Sequence, residues 1–145
     1  MRLKSFLKQV DHDRIVAAIA SAEARSRGEI RVHASGRAVA DARKAAAEQF
    51  ERLGMAGTAE RNGILIYVAP LSRSFAIIGD SGIDEKCGSG FWQEVASAME
   101  QEFRAGHYTD GIVRGVERAG DVLARNFPRG EGADRNELPD SVSED

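Results

Sequence analysis

The residues with the most chemistry to offer lie between positions 79 and 90. The run Asp80-Ser81-Gly82-Ile83-Asp84-Glu85 carries three carboxylates in six positions. A loop of this kind can present carboxylate and carbonyl oxygens together, which is what hard cations such as Ca²⁺ and Mg²⁺ require. Glu29, at the start of an apolar strand, is the fourth acid of the set. The competing reading makes Asp80 and Asp84 turn and cap residues with Glu29 simply solvated. Arg61 matters to both readings, because a guanidinium can neutralise a carboxylate by itself or steady an anion. Arg73, beside Ser72 in a short turn, is a second candidate anion contact.

Other chemistries are excluded or weak. Gly88-Ser89-Gly90 precedes a helix and can turn N–H groups toward an anion, but capping accounts for it equally well. A Cys-x5-Arg phosphatase loop fails, since Gln93 stands six positions after Cys87. Asp11-His12-Asp13 has the spacing of a nucleophilic aspartate pair but opens a helix. No Walker-type loop and no Gly-x-Ser-x-Gly elbow occur. His12, His33 and His107 share no ligand spacing, so they read as structural or solvated. Any hydrolysis would run through metal-bound water, and nothing calls for an organic cofactor.

The elements that must position these residues follow from periodicity. Leu3, Phe6, Leu7 and Val10 mark a short amphipathic helix that packs on its own domain or, with its lysines, touches a membrane surface. Asp11 or Asp13 caps a second helix carrying Ile15, Ile19 and Ala22, which ends at Gly28. Glu29 to Ala34 alternates as a half-exposed strand, with Glu29, Arg31 and His33 on its polar side. An alanine-rich helix spans about 39–53. Ile64 to Ala69 is apolar throughout, as in a central strand covered on both faces. Phe75 to Ile78 follows after so short a turn that it must return antiparallel.

A helical turn is expected near Asp84 to Cys87. Two helices follow, one with Phe91, Val95, Met99 and Phe103 at every fourth position. Thr109 is the expected cap of the other, which Pro128 stops. Trp92, Phe103 and Tyr108 can line a pocket, but at helical spacing they read as core.

The order α-β-α-β-β-α-α predicts an α/β fold, a three-layer α/β/α sandwich. Its small mixed sheet is a βαβ unit plus an antiparallel hairpin strand. Residues 1–127 form a single domain with residues 1–10 as its amphipathic N-terminal helix, and 128–145 read as an acidic disordered tail. If the first two strands are parallel, Glu29, Arg61 and Asp80 share one edge of the sheet, and Asp84 and Glu85 follow in the loop.

The chain has 145 residues and net charge -3. The tail holds six acids and two arginines, hence -4, which leaves the body at +1. So neutral a body argues against nucleic-acid binding. No apolar stretch has signal-peptide or membrane-spanning length. One cysteine allows no internal disulfide and suits a reducing, cytoplasmic location.

Several segments together are similar to one family. Gly28-Glu29-Ile30-Arg31-Val32, Asn62-Gly63-Ile64-Leu65-Ile66 and Gly79-Asp80-Ser81-Gly82-Ile83 resemble the strands of the TPM-domain family. Gly90-Phe91-Trp92 and the segment Phe103 to Gly111 look like its soluble, cytoplasmic bacterial branch. The resemblance runs from about Asp11 to Phe127. It implies the three-layer fold, and it associates some members with calcium or other divalent cations. Others are linked to acid phosphatase activity, to photosystem repair or to membrane assemblies. The pattern departs at two places: Arg61 stands where many members carry a metal-site aspartate, and Asp84 takes a glutamate's place.

The leading expectation is therefore a non-enzymatic binding or interaction module for a protein partner, with Ca²⁺ or Mg²⁺ at the Asp80–Glu85 loop. The alternatives are a metal-dependent, acid phosphatase-like hydrolase of phosphomonoesters and an adaptor of a membrane complex.

Overall fold

The run Ile64 to Ala69 forms the middle of the molecule. It lies in β2 (Gly63–Ala69), every residue of which is buried. β1 (Glu29–Ala34) pairs with β2 in parallel, from Glu29 opposite Gly63 to Ala34 opposite Val68. β3 (Ser74–Gly79) returns antiparallel, from Ala69 opposite Ser74 to Ile64 opposite Gly79. These three strands match the expected βαβ unit and hairpin. The structure is a computed structural model and describes residues 1–88, 90–130 and 142–145.

A fourth strand was not legible from sequence. β4 (Val142–Glu144) pairs in parallel with the free edge of β1, giving the order β3-β2-β1-β4. It falls within the stretch that reads as a disordered tail. The part of that tail at 131–141 lies outside the described residues, as does Ser89.

Side-chain alternation sends the sheet into two cores. One face carries Ile30, Val32, Ile64, Ile66 and Ile77 against the larger helical layer. That layer comprises α1 (Leu3–Gln9), α2 (His12–Ala24), α4 (Ser81–Cys87), α5 (Gly90–Arg104) and α6 (Tyr108–Asn126). The other face carries Leu65, Tyr67 and Ala69 beneath Ala46 and Phe50 of α3 (Ala42–Arg52) and Met55 of the turn that follows. Both faces are covered, as a three-layer sandwich requires, but one cover is a single helix.

Local chemistry sets the helix ends. The Asp11 carboxylate accepts from the Arg14 N–H and the Asp41 carboxylate from the Lys44 N–H, each satisfying a first-turn donor. The expected cap at Thr109 does not form. The N-cap is His107, two residues earlier, and the Thr109 hydroxyl instead accepts from the Asp11 N–H, tying α6 to the start of α2. In α1, Phe6 is buried, and Leu3, Leu7 and Val10 pack on the same core. The apolar face of this helix is thus turned into the domain and not toward a membrane, leaving Arg2, Lys4, Ser5, Lys8 and Gln9 outward. No helix among the described residues is long and apolar enough to cross a membrane.

Candidate functional site

The register of the three main strands brings Glu29, Asn62 and Asp80 to one sheet edge. The Glu29 N–H donates to the Asn62 carbonyl at 3.3 Å, and the Asp80 N–H donates to the Gly63 carbonyl at 3.0 Å. Asp80 is the N-cap of α4. Its Oδ1 accepts from the Ser81 N–H at 2.7 Å. Asp84 and Glu85 then lie on the exposed side of α4, while Glu29 is only 2% exposed and Asp80 6%. The strand alternation had put Glu29 and His33 on a solvated face. Both are buried; His33 stacks on the Tyr67 ring, with Ser143 and Asp145 against its two ring nitrogens.

Arg61 closes this edge. Its Nε donates to Asp80 Oδ2 at 2.7 Å and its Nη2 to Asp80 Oδ1 at 2.8 Å, a two-pronged pair that uses both carboxylate oxygens. The hydrogen bond to Asp80 holds the guanidinium still more firmly in its charged form. The Arg61 backbone is left-handed, with φ of 52°, a conformation few residues other than glycine adopt. Neighbouring bonds keep it there. Its N–H donates to the Thr58 carbonyl and its own carbonyl accepts from the Gly82 N–H at 2.8 Å. A Cβ at Gly82 would sit 2.2 Å from the Glu60 carbonyl oxygen and 2.6 Å from that of Arg61. Only glycine lets α4 approach the 60–61 turn this closely.

The next layer is also ionic. Arg27 grips Glu60 through Nε and Nη2 at 2.8 and 3.0 Å, which holds the Glu60 carboxyl below its ordinary range. Buried Asn62 donates from Nδ2 to the Arg27 carbonyl at 3.1 Å. The sequence-expected acids therefore share an edge, but their carboxylates do not gather. Among the described residues, one group of three acids or imidazoles has its ligand atoms within 4.8 Å, and it lies elsewhere: Glu102, His107 and Asp110.

That group spans the α5–α6 turn. Glu102 Oε2 lies 3.1 Å from His107 Nδ1 and Glu102 Oε1 accepts from Arg114 at 3.3 Å. Asp110 pairs with Arg14 at 3.0 Å. Sequence reading passed over it because no two histidines share ligand spacing and Glu102 lies across a turn from the other two. The signal is an i, i+5, i+8 spacing folded by the turn at Gly106, whose φ is 81°. An imidazole with two carboxylates can hold a divalent ion, with two arginines competing for those carboxylates.

Arg73 is at the opposite end of the sheet, in the turn between β2 and β3, also left-handed at φ 50° and ψ 43°. Cys87 has its thiol pushed up by burial, which leaves it a poor nucleophile at neutral pH.

The TPM domain family model matches residues 2–122. Among solved structures, the chain is similar to the BA42 protein from the psychrophilic bacterium Bizionia argentinensis, at 38% identity over 92% of each chain and a TM-score of 0.86. It also shares its fold with the N-terminal domain of a P. gingivalis protein, at 22% identity, 79% of this chain, 72% of that one and a TM-score of 0.58. The N-terminal domain of the cg2496 protein from Corynebacterium glutamicum is similar at 16% identity, 90% and 75% coverage and a TM-score of 0.60. No curated protein matches the chain.

Proposed function

This chain belongs to the TPM domain family, and from that premise we propose that it is a binding module without hydrolytic activity whose acidic sheet edge is closed by Arg61 in place of a divalent cation. The observation that carries the reading is the two-pronged Arg61–Asp80 pair. Both Asp80 oxygens already have charged or N–H partners. A Ca²⁺ or Mg²⁺ ion using Asp80 with Glu29, Asp84 and Glu85 must first displace a guanidinium tethered to the same loop. The absence of a nucleophile–base pair in the sequence supports the non-enzymatic half. The single, poorly reactive Cys87 supports a cytoplasmic location.

The test is a Ca²⁺ and Mg²⁺ titration of chelator-stripped protein followed by amide NMR. The reading expects no saturable shifts at Glu29, Asp80, Asp84 or Glu85 at millimolar cation. Saturable shifts there would restore the cation site and overturn it.

A second reading is favoured by the convergence of Glu102, His107 and Asp110. Here Glu102, His107 and Asp110 would hold a divalent ion, which would supply an activated water, and Arg114 would steady a phosphomonoester. It requires phosphomonoester turnover that chelation abolishes and that His107→Ala removes. Turnover surviving His107→Ala would reject it.

A further inference from the structure

The ends of β2 and β3 farthest from Arg61–Asp80 border a second, unrelated feature. Six residue steps along β2 separate the two places, about 20 Å at strand rise. Here the β2–β3 turn, α1 and the α5–α6 region enclose a cleft of about 570 Å³, within the size range of small-molecule sites.

Its wall is a continuous run of rings. Phe75 and Phe103 meet edge-to-face with centroids 5.3 Å apart and planes at 81°. Phe103 reaches Tyr108 at 6.3 Å, and Tyr108 reaches Phe6 at 5.5 Å. Phe6 is buried as part of the floor, whereas Phe75, Phe103 and Tyr108 are half-buried and keep ring surface in the cleft. Such surface rewards a flat apolar body with edge-to-face contacts.

The rim carries two arginines of different status. Arg104 is neutralised by Glu100 at 2.7 Å. Arg73 has no ion-pair partner among the described residues, and its left-handed backbone is one that glycine would adopt with less strain. The cleft therefore sets the uncompensated Arg73 guanidinium beside an aromatic wall, and the Met1 ammonium, which donates to the Pro70 carbonyl at 3.3 Å, adds a second positive charge to its lining. A planar guanidinium matches a carboxylate through two parallel hydrogen bonds.

We propose that this cleft binds a small organic carboxylate with an aromatic body, Arg73 holding the carboxylate and Phe75, Phe103 and Tyr108 the ring. The inference is independent of the Arg61–Asp80 reading and of any cation. It is tested on the full chain by calorimetry and amide NMR with phenylacetate, its neutral amide phenylacetamide, and acetate.

Phenylacetate is expected to give saturable shifts at Phe75, Phe103 and Tyr108, and to bind about tenfold or more tightly than phenylacetamide, the difference a charge-assisted pair makes. Acetate, lacking the ring, is expected to bind more weakly than either. Arg73→Gly keeps the left-handed turn and is expected to lower phenylacetate to the affinity of the amide while leaving the amide unchanged. Equal binding of acid and amide, acetate binding as well as phenylacetate, phenylacetate affinity unaffected by Arg73→Gly, or no shifts at these rings at millimolar probe would each overturn the proposal.

Discussion

Arg61 and Asp80 are nineteen residues apart in the chain and joined by two hydrogen bonds of 2.7 and 2.8 Å, with the arginine half-exposed and the aspartate buried. A buried carboxylate needs either a cation or donors to offset its lost hydration. Here both come from the protein. Replacing Asp80 by alanine removes the pair and the N-cap of α4 together. The cap alone is worth about 1–2 kcal/mol, so the urea midpoint of Asp80→Ala should fall by at least that equivalent.

Removing the other partner has a different signature. Arg61→Gly suits the left-handed backbone but strands the Asp80 carboxylate without its counter-charge. Its stability should drop in chelator and recover as Ca²⁺ or Mg²⁺ is added, because an ion that binds only the folded state stabilises it by mass action. The wild-type protein should show no such recovery. Thermal melts of both proteins across a cation series provide the comparison, and identical cation responses would contradict the substitution of guanidinium for ion.

Gly82 is the geometric condition for that pair. The atoms that a Cβ would meet at 2.2 and 2.6 Å are backbone carbonyl oxygens, which cannot rotate aside. Gly82→Ala should therefore cost about 3 kcal/mol, toward the upper end for overpacking. The largest amide shifts should appear at Glu60, Arg61 and the first turn of α4. Chemical denaturation with paired spectra measures both.

Much of this was legible in the residues. The unbroken apolar run Ile64 to Ala69 identified the central strand, and the short turn after it dictated the antiparallel return. Those two facts already placed Glu29, Arg61 and Asp80 at one edge. What periodicity could not convey is backbone handedness: nothing in an Arg-Asn-Gly string announces that Arg61 is left-handed and folded onto Asp80. β4 escaped because Val142-Ser143-Glu144 is short and mostly polar, and its pairing depends on a strand more than a hundred positions away. With β4 unseen, His33 looked solvated. The Glu102–His107–Asp110 group escaped because a turn, and not a helix face, brings it together.

The N-terminal helix offers a clean test of membrane docking against self-docking. Phe6 is 2% exposed and touches the Tyr108 ring. Phe6→Ala should destabilise the domain by about 3–5 kcal/mol, as for other buried phenylalanines. A helix that served chiefly as a membrane contact would tolerate the change with little effect on the urea midpoint and lose vesicle binding instead.

The most specific pH dependence should come from His33. Its ring lies 5.7 Å from that of Tyr67, its Nδ1 is 2.8 Å from the Ser143 hydroxyl, and its Nε2 is 3.0 Å from the Asp145 carboxylate. Burial depresses its pKa below the ordinary 6.5. Asp145 opposes this, Arg31 and Arg37 add to it, and the net shift is downward. The folded state thus binds fewer protons than the unfolded chain in this range, so stability rises with pH. The His33 contribution should be complete above pH 6.5 and be lost as pH falls through the depressed folded value. Asp145 is itself held below its ordinary 3.8. Burial pushes its pKa up, but hydrogen bonds with Ser35 and His33 outweigh that, so its own contribution is lost at lower pH, below 3.8. Urea midpoints from neutral to mildly acidic pH should therefore slope downward in the wild type and flatten in His33→Gln. Amide exchange at Val142 and Ser143 should accelerate over the same range, since β4 is the element that the ring holds. A slope unchanged by His33→Gln would assign the titration to another group.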